Sequence, residues 1–239
     1  MWYLAVAFIV TLIALVLLLK TRLATMALDQ PNQRSLHTKV IPRTGGLAIM
    51  AGVIAAWLLL GHYEVFIIPV VVLMTVSLID DIRGLPVGWR LLAQLLVSAG
   101  FVAAVMPDNP WWLMLPIVLA ITWMINLYNF MDGSDGLSGG MALFGFGFYA
   151  IAANLADHSQ LSAICAVIAS ANLAFLLFNF HPARIFMGDA GSVPLGFLAG
   201  ALGVYGWQQG IWPLWFPILV FSSFIIDASV TLVKRALHC

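Results

Sequence analysis

Along the chain, long apolar runs alternate with short polar breaks. Measured against the roughly 20 residues needed to cross a bilayer, the runs predict about nine helices. Their expected limits are 2–19, 44–60, 65–79, 91–106, 112–129, 138–153, 161–179, 191–207 and 212–233. The first run precedes Lys20 and Arg22 instead of following a basic segment. A secretory signal peptide has the opposite order. The run is therefore read as a retained helix, despite the small residues of Ala24-Thr25-Met26-Ala27 behind it.

Composition narrows the class. Of the 239 residues, 63% are hydrophobic and 8% charged, and the mean hydropathy is +1.04. Soluble domains carry about a quarter charged residues, and disordered chains lack apolar side chains. Both classes are excluded. Ten basic and ten acidic residues cancel, which removes the electrostatic case for nucleic acid as a partner. Cys165 and Cys239 build no disulfide framework. With no internal repeat and no linker, residues 1–239 are expected to form one all-α polytopic membrane domain.

The basic residues set the expected orientation. Lys20, Arg22, Arg34, Lys39 and Arg43 lie in the first break, Arg83 and Arg90 in the third, and Arg184 in the seventh. Lys234 and Arg235 follow the ninth run, while the alternate breaks contain no Lys or Arg. Positive charge marks the cytoplasmic side, so the N-terminus is expected outside. Trp2, Trp89, Trp111, Trp112, Trp207 and Trp212 fall near run ends, where indoles favour the membrane interface.

The acidic residues point to chemistry. Asp29, Asp80, Asp81, Asp132, Asp135, Asp189 and Asp227 share the basic side, and only Glu64, Asp108 and Asp157 face the other way. Three strings stand out. Ser77 to Gly84 closes the third run on the adjacent pair Asp80-Asp81, which repel unless a cation or proton compensates them. Asn126 to Leu137 presents Asn126/Asn129 and Asp132/Asp135 at spacing three, so that on a helix each pair shares a face. Polar side chains at membrane depth face a bundle interior or a functional cavity. In Phe178 to Ser192, Asp189 precedes small residues able to open a helix whose amides face an anion. Taken singly, a charged helix end, a glycine-rich turn or a helix cap accounts for each aspartate. No string has Walker spacing or zinc-ligand spacing. Oxygen ligands beside basic residues suit magnesium bound together with a phosphate ligand.

Together these strings resemble the polyprenyl-phosphate N-acetylhexosamine-1-phosphate transferases, glycosyltransferase family 4. Leu28 to His37 with Ile41 to Gly46 matches first, then Asp80-Asp81, Asn126 to Leu137 and Pro182 to Ser192. They fall in family order from about residue 28 and jointly are highly specific. The first string is closer to the O-antigen and enterobacterial-antigen initiating branch than to the muramoyl-pentapeptide translocases. Two departures accompany the match. Relatives continue past the ninth helix into a histidine-bearing cytoplasmic loop and a further span, whereas His238 alone does not form that motif. Ile82-Arg83-Gly84 also lacks a further aspartate that some relatives have after the acidic pair.

The resemblance implies transfer of an N-acetylhexosamine-1-phosphate from a UDP-sugar to undecaprenyl phosphate at the cytoplasmic face of a bacterial inner membrane. It implies magnesium, or manganese in its place, with Asp189 as the leading metal ligand. Asp80 and Asp81 would then be a base or further metal contacts, and Asn126, Asn129, Asp132 and Asp135 would position the nucleotide sugar. Lys39, Arg43 and Arg184 would pair with phosphates, and a homodimer is compatible with the pattern. Two rival classes are a transporter, whose acids would sit near the midplane of related halves, and a non-catalytic scaffold or fragment of the family.

Overall fold

The computed structural model describes residues 1–21, 28–29, 41–61 and 64–237. Within them every apolar run is helical: α1 (Trp2–Lys20), α2 (Gly45–Leu60), α3 (Glu64–Arg83), α4 (Val87–Val105), α5 (Trp111–Met131), α6 (Leu137–Leu155), α7 (Ser159–Asn179) and α8 (Asp189–Gln208). The ninth run breaks at Phe221 into α9 (Trp215–Val220) and α10 (Ser222–Leu237). A two-residue antiparallel pairing of β1 (Leu28–Asp29) with β2 (Ile41–Pro42) is the one departure from all-α architecture among the described residues. Six helices, α1 and α3 to α7, are long and apolar enough to cross a membrane. The protein is a multi-pass membrane bundle.

Helix α8 is the axis of the bundle. From Ala190 to Val204 it is almost wholly buried, and it packs against α3 and α5 with further contacts to α2, α4 and α6. Protein rather than lipid surrounds it, so its sequence tolerates Asp189, Ser192 and five glycines without a long apolar face. Small residues bring its neighbours close. A Cβ on Gly196 would lie 2.8 Å from the Ile125 Cα of α5.

Helices α2 and α8 meet backbone to backbone, where Gly46 abuts Gly191. Gly46 N–H also donates to Met187 O at 2.8 Å, and Gly45 N–H to Phe186 O at 2.9 Å. This junction fixes where Arg43 enters the site. Any side chain on Gly46 drives the two helix starts apart, an overpacking that costs about 1–3 kcal/mol. Gly46→Ala is accordingly expected to lower the thermal unfolding midpoint measurably. An unchanged midpoint would mean that the junction yields freely.

Two expectations need correction. The third and fourth helices extend past their apolar runs, because charged residues end a hydrophobic pattern without ending a helix. Asp80, Asp81 and Arg83 lie in the last turn of α3, and Arg90 lies in the first turn of α4. Only Gly84 to Pro86 separates the two, with Gly84 at φ 67° turning the chain. Trp212 is 6% exposed rather than interfacial. Its indole donates to Gly203 O at 3.0 Å and stacks on Tyr149, while Trp2, Trp89, Trp111 and Trp112 are exposed as expected.

Candidate active site

The α3–α4 turn makes one side of the site. Asp80 folds back over its own turn, taking the Leu85 N–H at 2.7 Å on Oδ1. Its Oδ2 accepts from Arg90 Nη1 at 2.8 Å. Arg90 thus points from the first turn of α4 towards the end of α3, and the same Nη1 lies 3.8 Å from Asp189 Oδ2.

The start of α8 makes the other side. Gly188 precedes it at φ 69°, a left-handed backbone that favours glycine. Asp189 is then the first helical residue, where the helix dipole favours a negative charge. Its Oδ1 lies 3.4 Å from Arg43 Nη2. Asp80, Arg90, Asp189 and Arg43 therefore form a chain of alternating charge joining three segments distant in sequence. Asp81 lies against the Ala190 amide and within electrostatic reach of Asp189, Arg43 and Asp80. The carboxylates are more enclosed, at 11% exposure for Asp80 and 18% for Asp189, than Arg90 at 38%. The guanidinium keeps access to a ligand.

Beneath this chain lies a cleft of about 190 Å³ between α3, α4, α5 and α8. Asp80, Arg90 and Asp189 line its charged end, while Gln94, Asn126 and Asn129 supply amides. Leu73, Val76, Leu91 and Val193 make its apolar walls. Asn126 Nδ2 donates to Gln94 Oε1 at 2.6 Å and to Thr122 O at 2.8 Å. Asn129 Nδ2 donates to Ser192 Oγ at 2.9 Å, and that hydroxyl donates to Gly188 O at 3.2 Å. The two asparagines share a face of α5 as their spacing predicts, and each ties the cleft to a different neighbour.

The second predicted pair behaves otherwise. Helix α5 ends at Met131, so Asp132 caps it and Asp135 sits in the following loop. The glycines at 133 and 136 break the helix on which the two would have shared a face. Desolvation pushes the Asp132 carboxyl up to about 7, with the Asp189 carboxylate adding to the rise and the Arg43 guanidinium opposing it. Asp135 Oδ2 takes the Ala183 N–H at 3.1 Å and meets His181 Nδ1 at 2.9 Å. Asn179, buried at the end of α7, accepts the Gly136 N–H at 2.9 Å and donates to Ile185 O at 3.0 Å. Asp135 and Asn179 lock the α5–α6 loop to the segment leading into α8.

Arg184 lies with its guanidinium over the Phe178 ring, 4.6 Å from the centroid, and does not line the cleft. Lys39 lies outside the described residues. Among the described residues no three carboxylate, imidazole or thiol side chains gather as a metal-binding group. Sequence reasoning missed Arg90, Gln94 and Ser192. Arg90 had the signal of sitting ten residues after Asp80, but it was read as a marker of membrane side.

Comparison with known proteins bears on the same elements. The family model of Glycosyl transferase family 4 matches residues 63–207, which carry α3 to α8 and all of the cleft. The chain is 31% identical to a Bacillus subtilis (strain 168) protein described as a probable undecaprenyl-phosphate N-acetylglucosaminyl 1-phosphate transferase, over 98% of this chain and 72% of that one. It is 30% identical to an undecaprenyl-phosphate alpha-N-acetylglucosaminyl 1-phosphate transferase of Yersinia pestis, over 72% of this chain and 53% of the relative. A phospho-N-acetylmuramoyl-pentapeptide-transferase of Halalkalibacterium halodurans is 27% identical over 81% of the chain and 68% of its own length. The chain thus spans about half the length of the Yersinia relative. With more than half of its residues matched by the family model, the chain belongs to glycosyl transferase family 4.

Proposed function

We propose that the protein transfers an N-acetylhexosamine-1-phosphate from a UDP-sugar to undecaprenyl phosphate, releasing UMP and so initiating a cell-envelope glycan. The observation that carries this reading is the charged end of the cleft, where Arg90 is held between Asp80 and Asp189 beside apolar walls. A phosphate on a lipid needs this pairing of a cation with an apolar approach. In the reaction, an acceptor phosphate oxygen bonds to the sugar-bearing phosphorus of the donor. The bond from that phosphorus to the bridging oxygen breaks, and its electrons leave on UMP.

The acceptor phosphate loses its second proton near pH 6, so it is already a nucleophile and needs little help from a base. The protein's task is alignment and charge neutralisation. Arg90 and Arg43 pair with phosphate oxygens, and Asn126 and Asn129 orient the nucleotide sugar at the foot of the cleft. Asp132 helps position the nucleotide sugar from the end of α5, and Asp135 acts at one remove by fixing the loop before α8. Magnesium arriving with the diphosphate needs only one or two protein carboxylates. The donor set fits, with Asp189 first and Asp80 or Asp81 second, and bound there the ion supplies charge stabilisation on the leaving phosphate.

Incubating the purified chain with radiolabelled UDP-sugars and undecaprenyl phosphate tests the donor class. Label should pass to a lipid extract from UDP-N-acetylhexosamines and not from UDP-glucose. Transfer from no UDP-sugar would contradict the reading.

We further propose that α2, α8 and the α9–α10 pair cross with the six longer helices, giving nine passes, N-terminus outside and cleft cytoplasmic. The partition of Lys and Arg among alternate breaks supports this. With Cys165 and Cys239 replaced, a cysteine at Ser134 should label from the cytoplasm and one at Ser159 from outside. Labelling of both from one side would overturn the orientation.

A further inference from the structure

We propose that Gln94 reads the acetamido group of the donor sugar and so sets the preference for N-acetylated over plain hexoses. This rests on the donor class assigned above and adds which atoms recognise it.

The observation that carries the inference is a hydrogen-bond donor left over. Gln94 is 7% exposed, and buried polar groups are as a rule hydrogen-bonded. Its neighbour fixes which way its amide points. The Thr122 carbonyl on α5 can only accept, so the Asn126 atom 2.8 Å from it is Nδ2. That nitrogen sends its second hydrogen to Gln94 at 2.6 Å, and the atom receiving it is Oε1. Gln94 Nε2 and Asn126 Oδ1 are then the free ends of the pair. Neither atom has a hydrogen-bond partner among the described residues, and both side chains line the cleft.

A ligand that satisfies both ends must carry a carbonyl and an N–H side by side. An acetamido group has one of each. The pairing edge of uracil holds its N–H between two carbonyls and so calls for a donor on either side of an acceptor. Both hydrogens of Asn126 Nδ2 are already committed, which leaves Gln94 as the one donor of the pair.

Position and size agree. Gln94 follows Arg90 by four residues on α4, on the same face and about 6 Å further along the helix. In a sugar 1-phosphate the substituent on carbon 2 is bonded next to the carbon that carries the phosphate. With the reacting phosphates beside Arg90, a 2-acetamido group falls within that one turn. Leu73, Val76 and Leu91 border the same cleft and receive the acetyl methyl. At about 190 Å³ the cleft is smaller than the roughly 300–1,000 Å³ that enclose a drug-sized ligand, so it takes the sugar end of the nucleotide sugar and not the whole.

The experiment is equilibrium binding of UDP-N-acetylglucosamine and UDP-glucose to the purified full chain in detergent. The wild type should bind the acetylated sugar at least about tenfold more tightly, because a plain hydroxyl cannot meet both free ends. Gln94→Met keeps the length of the side chain and leaves Asn126 its bond to Thr122. It should weaken the acetylated sugar alone and bring the two affinities within about twofold of each other. Ser98→Ala is the control: Thr122 Oγ1 donates to Ser98 Oγ at 3.3 Å, one turn further along α4, and Ser98 does not line the cleft. It disturbs the same helix pair and should leave the preference intact. Equal binding of the two nucleotides by the wild type would overturn the inference. So would a preference retained in Gln94→Met, with the proposed reaction left standing. An equal loss for both nucleotides, or the same loss in Ser98→Ala, would reduce Gln94 to a packing role and overturn it as well. A wild type that binds neither nucleotide would overturn the donor class and this inference with it.

Discussion

Asp189→Asn is expected to lower kcat/KM for sugar-phosphate transfer by about 10²–10³-fold, the range typical of losing one preorganised electrostatic contact to the transition state. Asp189 is where the site's charges meet. Its two oxygens face Arg43 at 3.4 Å and Arg90 at 3.8 Å, and its place as first residue of α8 is fixed by Gly188. Asparagine keeps the shape but offers one neutral acceptor where two cations were held. It also removes the hard anionic oxygen that a magnesium ion would take. With 18% of the side chain exposed and no core packing lost, the unfolding midpoint should stay close to that of the wild type. Asp157→Asn, beyond the other end of α6, should leave transfer unaffected. An Asp189→Asn protein retaining near-normal turnover would remove Asp189 from the site.

Arg90→Met should be nearly as severe, at about 10²-fold in kcat/KM for the acceptor. Methionine keeps the apolar stem along the cleft wall and deletes the guanidinium. The acceptor phosphate loses its partner, and Asp80 and Asp189 face each other without the cation between them, which raises the cost of keeping both ionised. Arg90→Lys should recover part of the loss, because a lysine supplies the charge but not the planar fork that spans two carboxylates. Acceptor KM measured across the three proteins is the readout. Lysine and methionine variants of equal activity would show that the charge at position 90 is not used.

The helices were legible because apolar runs of this length have few alternatives in a membrane. Their ends were not, since charge stops a hydrophobic pattern before it stops a helix. That one difference hid the site's central cation. With the fourth helix begun after Arg90, the arginine fell into a break and was absorbed by the positive-inside rule, whereas one helical turn earlier it points at Asp80. Asp80, Asp189, Arg43, Asn126 and Asn129 were legible as candidates, because polar groups are costly at membrane depth unless a cavity uses them. Their partners Gln94 and Ser192 were not, because a single amide or hydroxyl inside an apolar run carries no spacing. Asp132 and Asp135 were placed on one helix face by their interval alone. The glycines beside them break the helix, and only the three-dimensional arrangement separates a half-buried carboxyl at the end of α5 from a loop latch on His181 and Ala183.

The reading turns on which bond of the donor breaks. Purified protein should therefore be given undecaprenyl phosphate and a UDP-N-acetylhexosamine carrying ³²P in its β-phosphate. The account predicts that the label appears in the lipid extract with one UMP released per lipid product, and that undecaprenol in place of its phosphate gives none. Label remaining in the aqueous phase as UDP, with sugar alone passing to the lipid, would contradict it.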